Sequence, residues 1–505
     1  GSQGGDWKPP VDKNIPGSVK GSLELLPPRS RRLLILASIA QTSGEDWDDV
    51  ALLLSTTRPG RGTAAPDVRT VAVDYEPLDA VVDLEAAATN GTLVHPEVGT
   101  NVGVDFVMFQ MMKGVTDDSF FDGCDVVVRQ RVINNRLHAA PLEGRSVACA
   151  WDDGKLTFWM SNQSPHGIWG NLQKLYGLTP ETCHVITPDV GGGFGLKLEG
   201  TPEEMLLPEL ARRVGRPVRW TETRTENMIG SAHGRDQVQY LAIGGSRDGE
   251  IKAYRIEALG GAGAYCMIGG FLPFFTHVMA SGVYAIPKIE TAAKSVVTNT
   301  APVVAFRGAG RPEATAAVER AIDLYAAEIG MDPVDVRRKN LVGKDAFPFT
   351  TAVGTTYDTG DYETSLDLVL AHADYAGLRA EQARRRAAGA TKQLGIGVSV
   401  YVEITSGPNP GTTEWGKVEI TPAGKAVIYS GSLSHGQSHA TAFAMLVSDQ
   451  TGIAMEDIDL VQGDTALVPK GTGTNASKSL QAGGSAVYVS AGKVVDRARE
   501  LAASL

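Results

Sequence analysis

Two glycine-rich runs in this 505-residue sequence could let the backbone approach an anion or a bulky cofactor. In the first, Gly191-Gly192-Gly193-Phe194-Gly195, the missing Cβ atoms leave room for N–H groups to point at a ligand. A dinucleotide-binding G-x-G-x-x-G pattern would need a glycine at Leu196, which excludes that fingerprint. A structural turn or bulge is the alternative for this run, here called the Gly191 loop.

The second run is Ala305-Phe306-Arg307-Gly308-Ala309-Gly310-Arg311, here called the Arg307 loop. It places Arg307 between an aromatic residue and a glycine-rich turn. An arginine is always charged, and its planar guanidinium matches the geometry of an oxyanion. An arginine packed in a structural loop is the alternative.

Three polar segments add candidate ligand contacts. In Ser161-Asn162-Gln163-Ser164-Pro165-His166, Gln163 could donate an amide hydrogen bond to a ligand oxygen, or the segment could be a polar turn. Gly436-Gln437-Ser438-His439 precedes a predicted helix, where it could bind an anion or simply cap the helix. Residues 471–479, Gly-Thr-Gly-Thr-Asn-Ala-Ser-Lys-Ser, offer hydroxyls and amides in a turn or in a solvated linker.

Composition narrows the function class. The net charge is −11 and the one dense basic run is Arg384-Arg385-Arg386, so the sequence does not favour nucleic-acid binding. No apolar run approaches the roughly 20 residues of a membrane span. The four cysteines occur singly, which predicts neither an iron-sulfur cluster nor a metal held by the protein, and is typical of reduced thiols in the cytoplasm.

Helices and strands that alternate along the chain must position these loops. Spacing predicts strands at residues 68–75, 80–84, 124–131, 155–160, 183–190, 390–405 and 458–462. It predicts helices at residues 203–214, 318–329, 363–389 and 439–451. Asp332 and Pro333 are expected to begin a further helix as its N-cap and first residue.

The order of these segments resembles the xanthine dehydrogenase family of molybdenum hydroxylases, and within it the carbon monoxide dehydrogenase-like branch. The resemblance covers about residues 50 to 505. Further motifs in the same order support it: Val73-Asp74-Tyr75-Glu76-Pro77-Leu78, His95-Pro96-Glu97-Val98-Gly99-Thr100-Asn101, Pro141-Leu142-Glu143-Gly144-Arg145, Glu222-Thr223-Arg224, His233-Gly234-Arg235-Asp236, Gly463-Asp464-Thr465 and Ser477-Lys478-Ser479.

The resemblance implies an α+β fold in which an α/β hammerhead domain precedes molybdenum-cofactor-binding subdomains, the last of them truncated. It divides the chain into a poorly matched N-terminal arm at residues 1–45 and an incomplete hammerhead-like domain at 46–125. The first cofactor-binding subdomain would follow at 126–389, and an incomplete second one at 390–505.

By the same resemblance, Gln163 and Arg307 are the expected catalytic residues. Gln163 would hydrogen-bond an oxygen ligand of the metal, and Arg307 would contact the cofactor and flank the substrate. The cofactor implied is molybdenum-molybdopterin in its cytosine dinucleotide form. The residues expected to bind it are Gly192, Gly193, Phe194, Gly195, Ala305, Phe306, Arg307, Gly308, Gln437, His439, Ser477 and Ser479.

The implied reaction is hydroxylation of an aldehyde or an N-heterocycle with water as the oxygen source. Electrons would leave through iron-sulfur clusters and FAD on a small and a medium partner subunit, in a dimer of heterotrimers. Tyr265, Phe271, Phe274 and Phe275 could line an apolar substrate funnel or pack in the core.

Two departures from the family pattern bear on activity. Carbon monoxide dehydrogenases of this type carry a copper-binding cysteine in the second loop, where this chain has Gly308-Ala309-Gly310, so CO oxidation is disfavoured. No glutamate matches the family's general-base segment, which implies a fragment, a truncated product or one part of a split subunit. A non-catalytic cofactor-binding chain, or an α/β protein that binds another phosphorylated ligand, is the alternative.

Overall fold

This computed structural model describes residues 79–405 and 413–505, in which helices cover three β-sheets and a two-stranded ribbon. The strands are β1 Val102–Asp105, β2 Val126–Asn134, β3 Ser146–Asp152, β4 Lys155–Met160, β5 Cys183–Ile186, β6 Val218–Thr221, β7 Gln237–Gly245, β8 Ile251–Gly263, β9 Lys288–Val297, β10 Phe349–Thr350, β11 Thr356–Tyr357, β12 Gly416–Ile420, β13 Ala426–Ser430 and β14 Ile458–Gln462. The helices are α1 Leu84–Ala87, α2 Pro165–Tyr176, α3 Pro202–Val214, α4 Arg224–Gly230, α5 Leu272–Val278, α6 Arg311–Ile329, α7 Pro333–Asn340, α8 Tyr362–His372, α9 Tyr375–Ala387, α10 His439–Thr451 and α11 Ser485–Ser504. The mixed helix and sheet architecture confirms the predicted fold class.

The first sheet has the strand order β1-β9-β8-β7-β2, with β8 and β9 parallel and the other neighbours antiparallel. Helix α6 packs across β2 and β7, and its buried Ile322 and Tyr325 join Ile243 and Tyr254 in the largest apolar cluster. Strand β7 is buried along almost its whole length, as expected of a strand covered on both faces. Helix α6 begins at the end of the Arg307 loop, so this sheet fixes one side of the candidate site.

The second sheet has the order β5-β4-β3-β6 and is covered by α2 and α3. Strands β4 and β5 are parallel neighbours, so their carboxyl ends lie at the same edge of the sheet. Strand β4 leads to Gln163 and β5 leads to the Gly191 loop. The sheet therefore places these two segments side by side, where open α/β sheets commonly bind ligands.

The third sheet, β12-β13-β14, is covered by α10 and α11. Its strands β13 and β14 are also parallel neighbours, and they lead to residues 436–439 and 471–479. Thr187 N donates to Gly463 O at 2.7 Å, and His184 Nε2 lies 2.7 Å from Asp464 Oδ1. These bonds join the second and third sheets beside the ends of their parallel strands.

Several predicted elements are confirmed at or near their ends. Helix α3 begins with Pro202 and ends before Gly215, which has a φ of 62°. Asp332 caps α7 by accepting from Val334 N at 2.9 Å, and Pro333 is the first helical residue. Helix α10 and strands β4 and β14 have the predicted bounds.

Three predicted elements are wrong. Residues 80–84 form no strand, because the Asp83 carboxylate accepts from Ala86 N at 2.7 Å and begins α1 instead. The single helix predicted at 363–389 is broken into α8 and α9 by Asp374, which has a φ of 49° and caps α9. Residues 390–405 contain no assigned strand, although alternate side chains from residue 394 onward are half-buried, because no neighbouring strand of the described chain hydrogen-bonds to them.

Two further predictions concern the end of a strand and a segment near the N-terminus. The strand predicted at 183–190 ends at Ile186, because Thr187 pairs with Gly463 of the third-sheet segment. The strand predicted at 68–75 and the first part of the hammerhead-like domain, residues 46–78, lie outside the described residues. Within the described part of the chain, no helix is both long enough and apolar enough to cross a bilayer.

Candidate cofactor-binding site

Gln163 is buried where the Gly191 loop meets the turn at residues 471–479. Its Oε1 accepts from Gly195 N at 2.8 Å, and its Nε2 donates to Thr474 O at 3.0 Å. Its own backbone pairs with Lys197 O and Thr474 N at 2.8 and 2.9 Å. A primary amide has two N–H donors, so one hydrogen of Nε2 is left for a ligand oxygen. A single side chain thus ties together two of the predicted binding segments.

The Gly191 loop needs its glycines. Gly192 and Gly195 have φ values of 95° and 102°, and Phe194 between them has 58°. A Cβ on Gly195 would lie 2.1 Å from Ala305 O, and one on Gly193 would lie 2.5 Å from Gln163 Oε1. The glycines therefore permit close packing against two other segments, beyond the bulge that the sequence alone allows.

The Arg307 loop lies directly against the Gly191 loop. Arg307 N donates to Phe194 O at 2.9 Å, and the Arg307 guanidinium carbon lies 5.9 Å from the centre of the exposed Phe194 ring. The Arg307 side chain is exposed, so its charge is available to a ligand. The structure brings the two predicted glycine loops into one site.

Arg235 supports the Arg307 loop from below. Its guanidinium donates to Phe306 O at 2.6 Å and to Arg307 O at 2.7 Å, and lies 4.7 Å from the Phe306 ring centre. Glu313 Oε1 lies 3.7 Å from Arg235, and Glu313 Oε2 accepts from Gly310 N at 2.9 Å. Burial raises the pKa of Glu313, and the Arg235 charge opposes that rise. Both side chains are buried, so this pair fixes both ends of the loop.

The turn at residues 471–479 contributes unevenly. Thr474 is buried, and its hydroxyl donates to Leu433 O at 2.6 Å. Ser479 Oγ lies 3.4 Å from Thr474 Oγ1, close to the Gln163 contact. Ser477 is exposed and donates to Glu403 Oε1 at 2.8 Å. Ser479 therefore lies beside Thr474, the residue that Gln163 contacts. Ser477 faces solvent.

The segment before α10 provides no side-chain cap for the N-terminus of that helix. Ser438 is the N-cap residue, with a φ of 61°, and its side chain makes no capping hydrogen bond. Gln437 is exposed and its carboxamide contacts His435 N, whereas His439 is buried and stacks on Phe443 at 5.0 Å. Burial, with the nearby His439 and Lys197, lowers the pKa of His435 to about 4. The Ser438 side chain therefore does not cap α10, which was the alternative for this segment. His435 is neutral near pH 7.

The predicted aromatic funnel is divided between core and surface. Phe274 stacks on the fully buried Phe106 at 6.2 Å, so it belongs to the core. Tyr265 is exposed beside His95. Phe275 lies under Gly310, where an added Cβ would be 2.5 Å from Phe275 Cβ. Phe275 thus borders the Arg307 loop.

Glu204 makes the free energy of unfolding depend on pH. It is fully buried near Arg145, and burial raises its pKa to about 7 from an ordinary value of 4.5, with Arg145 opposing the rise. The folded state therefore holds this proton more tightly than the unfolded state, so the Glu204 contribution to stability is lost as pH rises from 4.5 to 7. That difference corresponds to about 3 kcal/mol.

We expect Glu204→Gln to remove this loss. The free energy of unfolding of the variant should gain about 3 kcal/mol on the wild type between pH 4.5 and 7. Denaturant unfolding at half-unit pH steps measures the difference. A difference that stays constant over this window would contradict a raised pKa.

The site has features that fit an extended, hydrogen-bonded cofactor. Asn162 Nδ2 and His435 Nε2 are buried and have no hydrogen-bond partner among the described residues. Asn162 adjoins Gln163, and His435 is close enough to Lys197 to feel its charge. Buried polar atoms are normally paired, so these atoms are suited to hydrogen-bond a ligand. Together with the remaining amide hydrogen of Gln163, they fit the molybdopterin group.

Sequence reasoning missed the residues that hold the loops. Glu143, Lys197 and Arg235 carry hydrogen bonds between the segments, yet residue type and spacing gave them no role. Glu143 and Arg235 lie within motifs of the family resemblance, so a charged residue fixed beside a glycine was the available signal. Among the described residues, no three His, Cys, Asp or Glu side chains cluster so as to hold a metal ion.

Comparison with known families agrees with this geometry. The family model of the molybdopterin cofactor-binding domain matches residues 94–341, and a second molybdopterin cofactor-binding domain model matches residues 368–505. The carbon monoxide dehydrogenase large chain of Hydrogenophaga pseudoflava is 32% identical over 483 residues, covering 90% of this chain and 60% of that protein. The nicotine 6-hydroxylase large subunit of Paenarthrobacter nicotinovorans is 32% identical over 433 residues, covering 83% of this chain and 52% of that protein.

The fold agrees with a solved relative. Quinoline 2-oxidoreductase from Pseudomonas putida 86 superposes with a TM-score of 0.78 at 30% identity, covering 83% of this chain and 55% of that chain. The chain thus spans between about half and 60% of the length of these relatives. Both curated relatives are large chains or subunits, and are therefore components of multi-subunit enzymes. Two molybdopterin cofactor-binding domains and a shared fold establish that the chain belongs to the xanthine dehydrogenase family of molybdopterin-binding large subunits, in its carbon monoxide dehydrogenase-like branch.

Proposed function

We propose that this chain is the cofactor-binding part of a molybdenum hydroxylase that oxidises an N-heterocycle, with an aldehyde as the second substrate class. The observation that carries the proposal is the position of Gln163, whose carboxamide contacts both the Gly191 loop and Thr474. A ligand oxygen at the free Nε2 hydrogen would lie beside the Gln163 segment, the Gly191 loop and the turn at residues 471–479. When bound, the molybdenum cofactor supplies the two-electron oxidant, and water supplies the oxygen atom.

The residues of this chain would bind the cofactor and orient the substrate. Gln163 would donate its second amide hydrogen to an oxygen of the cofactor. The backbone at Gly192, Gly193 and Gly195, which packs closely against neighbouring protein segments, would lie beside the cofactor. Phe194 is 39% exposed and would cover one face of the cofactor. Arg307 would hold a polar substrate atom beside Phe194 by charge and hydrogen bonding.

Other site residues are assigned to the pterin and its phosphate. We place Ala305, Phe306 and Gly308 along the cofactor, and Gln437, His439, Ser477 and Ser479 against the pterin or its phosphate. The open N-terminus of α10 supports an anion there, since its first N–H groups are not capped by Ser438. The cytosine dinucleotide form of the cofactor is part of this proposal.

The wider assembly follows from the family. We expect a small iron-sulfur subunit and a medium FAD subunit, arranged as a dimer of heterotrimers in the cytoplasm. We also expect a hammerhead-like domain at residues 46–125 ahead of cofactor-binding subdomains at 126–389 and 390–505, after an N-terminal arm at 1–45. The large-chain character of the curated relatives supports the need for partners.

Three observations favour an N-heterocycle as the substrate. The Arg307 loop has Gly308, Ala309 and Gly310 with no thiol, which disfavours copper binding and CO oxidation. Phe275 offers an aromatic surface beside the same loop. The relatives that act on nicotine and quinoline are as similar to this chain as the CO dehydrogenase, so N-heterocycles are the first substrates to test.

The test uses the holoenzyme purified with its partner subunits from a molybdenum-supplied host. We expect oxygen from ¹⁸O-labelled water to appear in hydroxylated quinoline or nicotine, with slower reaction of an aromatic aldehyde and no oxidation of CO. Turnover of CO alone would overturn the substrate assignment. A molybdenum-loaded complex that hydroxylates none of these compounds would favour the non-catalytic alternative.

A further inference from the structure

A buried ion pair lies beneath the Gly191 loop, apart from the residues assigned to the cofactor. The Lys197 ammonium is fully buried and lies 2.8 Å from Glu143 Oε2, which is one-third exposed. Burial alone would raise the pKa of Glu143, but hydrogen bonds from Lys197, Ser161 and Gly191 together lower it. Burial lowers the pKa of Lys197, and the Glu143 charge opposes that change. Burial thus opposes the charged form of each side chain, and the direct contact between the two side chains favours it.

Glu143 Oε2 is the meeting point of three donors. It accepts from Lys197 Nζ at 2.8 Å, from Ser161 Oγ at 2.7 Å and from Gly191 N at 2.7 Å. Lys197 Nζ also donates to Ser161 Oγ at 2.9 Å, which closes a small ring of bonds. One carboxylate oxygen thus holds a hydroxyl, an ammonium and a backbone amide.

These three donors belong to the segment that carries Gln163 and to the segment of the Gly191 loop. Ser161 is two residues before Gln163, Gly191 begins the glycine loop, and Lys197 follows it. A Cβ on Gly191 would lie 2.6 Å from Glu143 Cβ, so the glycine at this position permits the approach. Glu143 N also donates to Gly191 O at 3.2 Å, which pairs the two residues through their backbones as well.

We propose that Glu143 and Lys197 form a clamp that positions the Gly191 loop against Gln163 for cofactor binding. Neither residue needs to touch the cofactor, so both are positioning residues. Charged donors and acceptors make stronger and shorter hydrogen bonds than neutral ones, which suits a loop whose glycines give it little stiffness of its own. The role of the clamp in cofactor binding rests on the proposed function, whereas its effect on the position of the Gly191 loop does not.

The clamp is tested by removing both charges together. Glu143→Leu with Lys197→Met keeps similar volume, leaves no unpaired buried charge, and deletes every side-chain bond from this pair to Gly191 and Ser161. The matched control is Glu290→Leu with Arg255→Met, since that ion pair is also 2.8 Å long, is mostly buried, and likewise binds a threonine hydroxyl and amide. Its partners lie outside the candidate site.

Hydrogen exchange on the cofactor-free chain is the first measurement. Amides in residues 191–197 should exchange at least tenfold faster in the Glu143/Lys197 double variant, and at the wild-type rate in the control. Molybdenum and pterin retained per folded chain after prolonged dialysis is the second, and it should fall at least tenfold in the double variant alone. If that variant does not fold, Glu143→Gln, which keeps a neutral acceptor, should show both effects at about threefold.

Unchanged exchange in residues 191–197, or cofactor retention equal to the control, would overturn the clamp. A wild-type protein without molybdenum would instead overturn the proposed function, and the exchange measurement would still decide on the clamp. A loss of thermal stability common to both double variants, with no local change in exchange, would show a purely structural pair and would also overturn the inference.

Discussion

Replacing Gln163 by alanine is expected to lower turnover of the holoenzyme by about 100-fold, the scale reached when reacting groups lose their alignment. The loss follows from geometry, because the carboxamide spans Gly195 N and Thr474 O and would offer its second hydrogen to the cofactor. The same change leaves the half-buried Gly195 N and the buried Thr474 O unpaired, so the free energy of unfolding should fall by about 2 kcal/mol. Steady-state kinetics per folded chain, with denaturant unfolding on the same preparations, measures both.

Gln382→Ala is the matched control for this prediction. Gln382 is buried on α9, donates to Leu394 O at 2.9 Å and accepts from Arg379 at 2.7 Å. It should lose similar stability with turnover unchanged. Parallel loss of stability and activity in the Gln163 variant, with no excess loss of turnover, would show that Gln163 acts only in folding.

Replacing Arg235 by methionine is expected to lower the free energy of unfolding by about 3–5 kcal/mol, the usual cost of breaking a buried ion pair from one side. The variant leaves Glu313 buried without its opposing charge and leaves Phe306 O and Arg307 O without donors. Molybdenum content per folded chain should fall as well, because the Arg307 loop loses its support. Denaturant unfolding and metal analysis measure the two effects.

Two companion variants separate charge from geometry at Arg235. Arg235→Lys keeps the charge but lacks the fork that reaches two carbonyls, so about half of the stability loss should remain. Adding Glu313→Gln to Arg235→Met should recover stability by removing the buried charge, while molybdenum content stays low. Recovery of both together would mean that Arg235 only neutralises Glu313 and does not position the loop.

Local patterns in the sequence predicted several structural features of the segments that form the candidate site. Gly192 and Gly195 mark positive φ angles and close approaches. Asp332 and Gly215 mark helix ends through their local hydrogen bonding and conformation. These are short-range effects, so the residues alone specify them. The confirmed family resemblance then supplied the order in which the segments meet.

The sequence could not specify contacts between distant segments. Glu143 and Lys197 are 54 residues apart, and Arg235 reaches carbonyls about 70 residues away, so no spacing rule relates them. The strand predicted at 390–405 shows the same limit, because alternation of half-buried side chains does not reveal whether a partner strand exists. Asp374 broke a helix that periodicity alone would continue, since its left-handed conformation is not visible in the apolar pattern.

The most direct test of the central claim is the molybdenum and pterin content of the folded wild-type chain. The protein should be expressed in a molybdenum-supplied host that makes the cofactor, and purified with its partner subunits. The arrangement of Gln163, the Gly191 loop and the Arg307 loop predicts close to one molybdenum and one pterin per chain, with retention lost in the Glu143/Lys197 double variant. Folded protein that contains neither molybdenum nor pterin phosphate would contradict the account.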